Sequence, residues 1–175
     1  MKCFIIVALV LVGTSTSESC TSSESSFLFE GSWLEMKENR TNVVEYLMQY
    51  NISRENATKY NNGPTTMECI QLTEDGYKVN GIRPDGVPYN MSITWRKEAK
   101  RVYTYPNQSL LFDAEVVRDN VSHSHNVMLF NVYYQGLATP IFIAERNFTN
   151  EGYMNYSQRH VATNITTYTL YKKQD

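Results

Sequence analysis

The stretch Phe27-Leu28-Phe29-Glu30-Gly31-Ser32-Trp33-Leu34-Glu35-Met36 decides how the rest of the chain is read. A Gly two residues before a Trp, with apolar residues on both sides, suits a first β-strand that bends tightly. The Gly lets the backbone curve or approach a neighbour closely. The Trp is large enough to plug one end of a small barrel, and its indole N–H demands an acceptor. Strand alternation places Phe27, Phe29, Gly31, Trp33 and Glu35 on one face, with Leu28, Leu34 and Met36 on the other.

Outward from that strand, the bulk numbers agree with a β domain. The 175 residues suffice for one domain with a sizeable core. A net charge of −2 offers neither a nucleic-acid footprint nor a polybasic membrane patch. Aromatic residues make up 13% of the chain, with 13 Tyr against 2 Trp and 7 Phe. Tyr at that density suits half-buried strands, which favour a flat apolar body with a polar tip.

Residues 1–19 read as a secretion signal. Lys2 supplies a basic start, Phe4 to Val12 an apolar run, and Thr14 to Ser19 a small-residue stretch for cleavage between Ser15 and Ser19. The run is too short to span a membrane, and no second one follows. The expectation is an exported, soluble domain over residues 20–175. Asn-x-Ser/Thr sequons at Asn39, Asn51, Asn56, Asn90, Asn107, Asn120, Asn147, Asn155 and Asn164 predict a glycoprotein. Cys3 leaves with the signal. Cys20 and Cys69 remain, and in an oxidising compartment a bridge between them is the default, an unpaired thiol or intermolecular link the alternative.

Along the chain, Val43, Tyr46, Leu47 and Tyr50 fall at helical spacing with Thr41 or Asn42 as cap, although Tyr46 to Ile52 also alternates as a strand would. Ser53 to Pro64 reads as a sugar-bearing loop. Strand signals then recur: Met67–Leu72, a turn with Gly76 at positive φ, Tyr77–Ile82, and a second turn through Pro84-Asp85-Gly86. In Tyr89–Trp95, Tyr89, Met91, Ile93 and Trp95 share one face opposite polar residues. Arg101–Tyr105 and Leu110–Val117 continue the series, and Arg118–His125 is a polar break. Val127–Tyr134 and Ile141–Ala144 form a hairpin around Gly136. Tyr153–Ser157 and Ile165–Tyr171 close the chain. Eight to ten antiparallel strands with one or two short helices predict an all-β, up-and-down barrel.

The Gly31-Ser32-Trp33 element, preceded by Phe29, resembles the Gly-x-Trp opening of the lipocalins. It is similar too to the first strand of the fatty-acid-binding proteins, which share the calycin plan. The hairpin Phe130–Gly136 to Pro140–Ala144 resembles the later lipocalin hairpin, without the Asp of its Thr-Asp-Tyr element. Trp33, the Tyr46–Tyr50 segment and Cys69 resemble the divergent salivary lipocalins of ticks, although no Cys follows Cys69. For the fatty-acid-binding proteins, Arg146 resembles the inward Arg that grips a carboxylate. Tyr171 matches the final Arg-x-Tyr, with Thr169 where that Arg would stand. Export and sugars place the lipocalins first and the fatty-acid-binding proteins second.

A barrel of about eight strands is wide enough for one small ligand. Alternation nominates Trp33, Glu35, Tyr89, Met91, Ile93, Trp95, Tyr103, Tyr105, Phe112, Phe130, Val132, Tyr134 and Phe142 as interior residues, and the resemblance to the fatty-acid-binding proteins adds Arg146. Glu35 would meet a cationic amine and Arg146 an anionic head group. His123, His125 and distant His160 lack partners at ligand spacing, so no metal is expected. No Gly-x-Ser-x-Gly elbow, paired carboxylates or phosphate loop is present, so neither catalysis nor a cofactor is expected. The predicted function is a secreted, glycosylated lipocalin-like carrier for a small hydrophobic or amphipathic ligand. The salivary resemblance implies biogenic amines, leukotrienes, sterols or fatty acids and a modulation of host inflammation. One alternative is a scaffold whose outer surface binds a host protein such as an immune receptor, complement component or immunoglobulin. The other is a secreted carrier of the fatty-acid-binding-protein type.

Overall fold

The structure, a computed structural model, describes residues 27–95, 99–100, 104–105, 108–109, 117–124, 126–134 and 137–174. The expected leader, Cys3, Cys20, Tyr103, Asn107, Phe112 and His125 lie outside that set. The chain begins with β1 (Gly31–Thr41), α1 (Val43–Met48), α2 (Arg54–Asn61), β2 (Met67–Leu72), β3 (Gly76–Ile82) and β4 (Pro88–Thr94). Three two-residue strands follow: β5 (Ala99–Lys100), β6 (Thr104–Tyr105) and β7 (Gln108–Ser109). The last are β8 (Val117–His123), β9 (Val127–Tyr134), β10 (Phe142–Phe148), β11 (Met154–His160) and β12 (Thr166–Gln174).

Ten strands form one antiparallel sheet in the order β4-β3-β2-β1-β12-β11-β10-β9-β8-β5, while β6 and β7 pair separately. Almost every neighbour in the sheet is also a neighbour in sequence. The main exception joins the first long strand to the last, with Trp33 opposite Lys173 and Glu35 opposite Tyr171. That pairing, added to the ordinary twist of strands, curls the sheet so that one face becomes an interior. The all-β fold with two short helices is the one expected. Among the described residues the two edges, β4 and β5, do not pair.

Alternation explains the interior. In β1, Gly31, Trp33 and Glu35 are buried while Leu34 is exposed, and in β10 Phe142, Ala144 and Arg146 are buried. The indole of Trp33 donates to the carbonyl of Phe29 at 2.8 Å, which satisfies its one donor inside the core. Gly31 stands at φ 128°, a conformation that a side chain would strain. Two apolar clusters form the packed part of the interior. One groups Tyr46, Leu47, Tyr50, Ile52 and Ala57 of the helical segment with Val132, Phe142 and Ala144. The other gathers Phe29, Trp33, Ile70, Tyr77, Met128 and Met154 around the first strand.

Four local expectations are corrected. Residues 53–64 are not a loop: α2 occupies most of them, started by the Ser53 side chain, which accepts the backbone N–H of Asn56 at 3.2 Å. Ala57 is its one fully buried residue, so the segment carries almost no apolar stripe for a sequence reading to detect. Residues 118–123 are not a break: Val117–His123 forms β8, because β9 pairs along its whole length and β5 pairs with Arg118 and Asp119, whatever the side-chain polarity in the sequence. Asn42 is the N-cap residue of α1, as expected, but it stands in a left-handed conformation and its side-chain amide donates to the Thr166 carbonyl instead of capping the helix. Gly76 has no positive φ, which among the described glycines is confined to Gly31, Gly86 and Gly152. It opens β3, where a Cβ would lie 1.8 Å from the Ile93 carbonyl oxygen, so the residue is set by close strand approach.

Candidate functional site

The interior holds a cavity of about 400 Å³. Its apolar wall includes Val43 of α1, Met91 of β4, and the rings of Tyr60, Tyr89, Tyr156 and Tyr171. Ile82, Pro84, Val87 and Pro88, at the β3–β4 turn, border it as well, and Ile82 and Val87 are also exposed to solvent. The turn therefore marks the side where the cavity approaches solvent.

A buried polar cluster sits in this lining. Alternation along Met67–Leu72 turns Glu68 inward with Ile70, and Glu68 is 5% exposed. Arg146, 4% exposed, brings its Nη1 to 2.7 Å from Glu68 Oε2. Tyr89 donates its hydroxyl to the other oxygen, Oε1, at 2.5 Å. Gly81 stands between Glu68 and Tyr89 in the register, and an added Cβ there would lie 2.6 Å from the Tyr89 ring. The missing side chain lets the ring cross β3 to reach the carboxylate. Tyr156, directly opposite Arg146 on β11, lies beneath the guanidinium with 4.3 Å to its ring centroid. Arg146 Nη1 also touches the Met154 sulfur at 3.8 Å.

Charge balance follows from burial. Burial alone would lower the pKa of Arg146, but the Glu68 carboxylate more than offsets it and holds the guanidinium above its ordinary value. Burial and then the Glu68 charge push Tyr89 and Tyr171 well above the usual phenol range, so both hydroxyls stay protonated donors. Burial also raises Tyr156.

A second pair fixes the helical segment. Arg40 sends two N–H groups to the Glu35 carboxylate, at 2.6 and 2.5 Å. It also donates to the carbonyls of Asn61 and Pro64 at the end of α2. The backbone N–H and hydroxyl of Thr66 donate to Glu35 Oε2, each at 2.8 Å. Glu35 thus anchors a structural clamp, and both of its oxygens already accept from Arg40 or Thr66. Burial would raise its pKa, but the Arg40 and Thr66 hydrogen bonds prevail and hold it below the ordinary carboxylate value of 4.5. A lowered folded pKa gives stability that is present above 4.5 and lost as pH falls through the folded value. In Glu35→Gln, urea unfolding from neutral to acid pH should show a shallower acid loss than the native chain. Arg40→Ala should cost about 1–3 kcal/mol at neutral pH, because charge-assisted hydrogen bonds are lost. Identical acid limbs in native chain and Glu35→Gln would remove the clamp from this account.

Of the residues nominated from sequence, Glu35, Tyr89, Met91 and Arg146 line the cavity. Trp33, Ile93, Trp95 and Phe130 belong to the apolar packing around the first strand, and Val132 and Phe142 to the packing beneath the helices. Tyr105 and Tyr134 are placed by their backbone alone. The sequence reading missed Glu68, although its in-phase position with Ile70 was a signal for it. It also missed the inward Tyr156. Cys69 is disulfide-bonded, and its partner lies outside the described residues.

No family model matches the chain, and no curated protein matches it in sequence. Solved structures do match its fold. A Schistosoma mansoni fatty acid binding protein in complex with arachidonic acid superposes with TM-score 0.64 at 13% identity, over 88% of this chain and 100% of that one. The fatty acid transporter REP1-NXSQ gives TM-score 0.63 at 13% identity, over 83% and 97%. A zebrafish ileal bile acid-binding protein complexed with cholic acid gives 0.60 at 12% identity, over 84% and 99%. The chain therefore shares the fold of these fatty-acid- and bile-acid-binding proteins. The fold of these neighbours is the one that the second of the two resemblances implies.

Proposed function

We propose that the chain is an exported, glycosylated carrier that holds one small hydrophobic or amphipathic molecule inside its curled sheet. The observation that carries this reading is the cavity itself: about 400 Å³, walled mainly by aromatic and aliphatic side chains around one buried polar cluster. That volume lies within the range of about 300–1,000 Å³ common for small-ligand sites. The fold neighbours bind a fatty acid and a bile acid, which accords with a lipid-like occupant. Binding without turnover is the activity inferred. Export and glycosylation rest on the leader and the sequons, of which Asn39, Asn51, Asn90 and Asn164 are solvent-exposed. Among the ligand classes suggested by the sequence, sterols and long-chain lipids suit the lining, whereas an amine would have to compete with Arg40 and Thr66 for Glu35.

Protein secreted from a eukaryotic host tests the reading by native mass spectrometry. The expected result is a co-purifying small molecule, or uptake of an apolar fluorescent probe after delipidation, with glycan mass removable by an N-glycosidase. An interior that takes neither, together with a host protein captured on the outer surface, would overturn the carrier in favour of the scaffold.

A further inference from the structure

We propose that the cavity selects an uncharged lipid bearing a hydroxyl group, such as a long-chain alcohol, a monoacylglycerol or a sterol, over a free fatty acid. Glu68 is the residue that sets the preference. This rests on the carrier reading and narrows its ligand.

The charge pattern of the lining is the first ground. Three guanidinium groups border the cavity, and each already faces a carboxylate: Arg40 on Glu35, Arg83 on Asp85, and Arg146 on Glu68. No described cation of the lining stands ready for an incoming carboxylate, and no carboxylate among these three stands ready for an amine. A fatty-acid head group would bring an unbalanced negative charge into a desolvated site beside Glu68. That is unfavourable unless a cation is released to meet it.

The second ground is hydrogen-bonding capacity. Arg146 Nη1 and Glu68 Oε2 form an ion pair at 2.7 Å. Among the described residues, Arg146 Nε is a buried donor without a hydrogen-bond partner, and Glu68 Oε2 meets only the Arg146 guanidinium. One is a donor and the other an acceptor. A hydroxyl group can accept from the first and donate to the second, whereas a carboxylate can only accept and a methyl ester cannot donate. The walls around this pair, Met91, Tyr89 and Tyr156, are apolar in body and suit a hydrocarbon chain.

The test is competition against an apolar fluorescent probe on delipidated protein at neutral pH, with palmitic acid, cetyl alcohol and palmitoyl monoglyceride. The alcohol and the monoglyceride should displace the probe at least about tenfold more tightly than the acid, a difference near 1.4 kcal/mol. Palmitic acid binding as tightly as the alcohol would overturn the preference and leave the carrier intact. Displacement by none of the three would overturn the carrier itself. Glu68→Gln frees the guanidinium, so it should tighten palmitic acid by about tenfold relative to cetyl alcohol. The paired Glu68→Gln, Arg146→Gln change should abolish that gain. An unchanged acid-to-alcohol ratio in folded Glu68→Gln would remove Glu68 from the role. If that variant does not fold, the comparison of ligands on the native chain decides alone.

Discussion

Replacing Arg146 with Met should lower stability by about 3–5 kcal/mol, and replacing Glu68 with Leu in the same chain should recover most of that loss. The pair is almost fully enclosed, with side-chain exposures of 4% and 6%. Its mutual attraction is spent largely in repaying the desolvation of two charges. Removing one partner leaves the other charged and buried, with only the Tyr89 hydroxyl against Glu68. Removing both leaves two apolar side chains of similar bulk beside Met154 and Tyr156, a substitution that buried pairs often tolerate. Urea unfolding of the native chain, both single variants and the double completes the cycle. A double variant as unstable as Arg146→Met alone would show that the two groups do not balance one another. The same cycle bears on the proposed selectivity, which requires this charge balance to deny Arg146 to a ligand carboxylate.

Trp33→Ala should cost about 3–5 kcal/mol, the range for deleting a large buried aromatic side chain. The indole is 1% exposed and its centroid lies 5.8 Å from that of Phe148. Phe29 stacks in turn on Phe148 at 4.7 Å, so a void at residue 33 would loosen several rings at once. Trp33→Phe should cost clearly less, because it keeps most of the volume and loses the hydrogen bond to Phe29. Thermal and urea unfolding of the two variants check this ranking. Equal losses would mean that the N–H rather than the bulk of the indole holds that end of the core together.

Much of this architecture was legible from period and turn chemistry. The Gly31-Ser32-Trp33 strand, the Tyr89–Trp95 alternation and the hairpin joining Val127–Tyr134 to Ile141–Ala144 all carry strong period-two patterns. The structure places them as β1, β4, and β9 with β10. The misses share a physical cause. In α2 and β8 the backbone is held by caps or by neighbouring strands, so their side chains did not need the apolar periodicity that a sequence reading detects. Tertiary pairing likewise decided the polar site. Arg146 was legible through its resemblance to the inward Arg of the fatty-acid-binding proteins, and the structure places it in phase with Phe142 and Ala144. Its partner Glu68 lies 78 positions earlier, on a strand whose alternation is blurred by Met67 and Leu72, both exposed. Nothing local announces that the two will meet. The sequence also suggested separate ligand charges at Glu35 and Arg146, whereas the fold gives each an internal counter-ion.

The central claim is that the molecule binds its ligand inside, against β4, β10 and β11, rather than on its outer face. Selective methyl labelling of methionine reads this directly, since Met91 lines the cavity while Met67 is 53% exposed. On titration of the delipidated protein with cetyl alcohol, the methyl resonance of Met91 should shift in proportion to occupancy and that of Met67 should stay in place. A shift confined to Met67, with Met91 unmoved at saturation, would contradict the account.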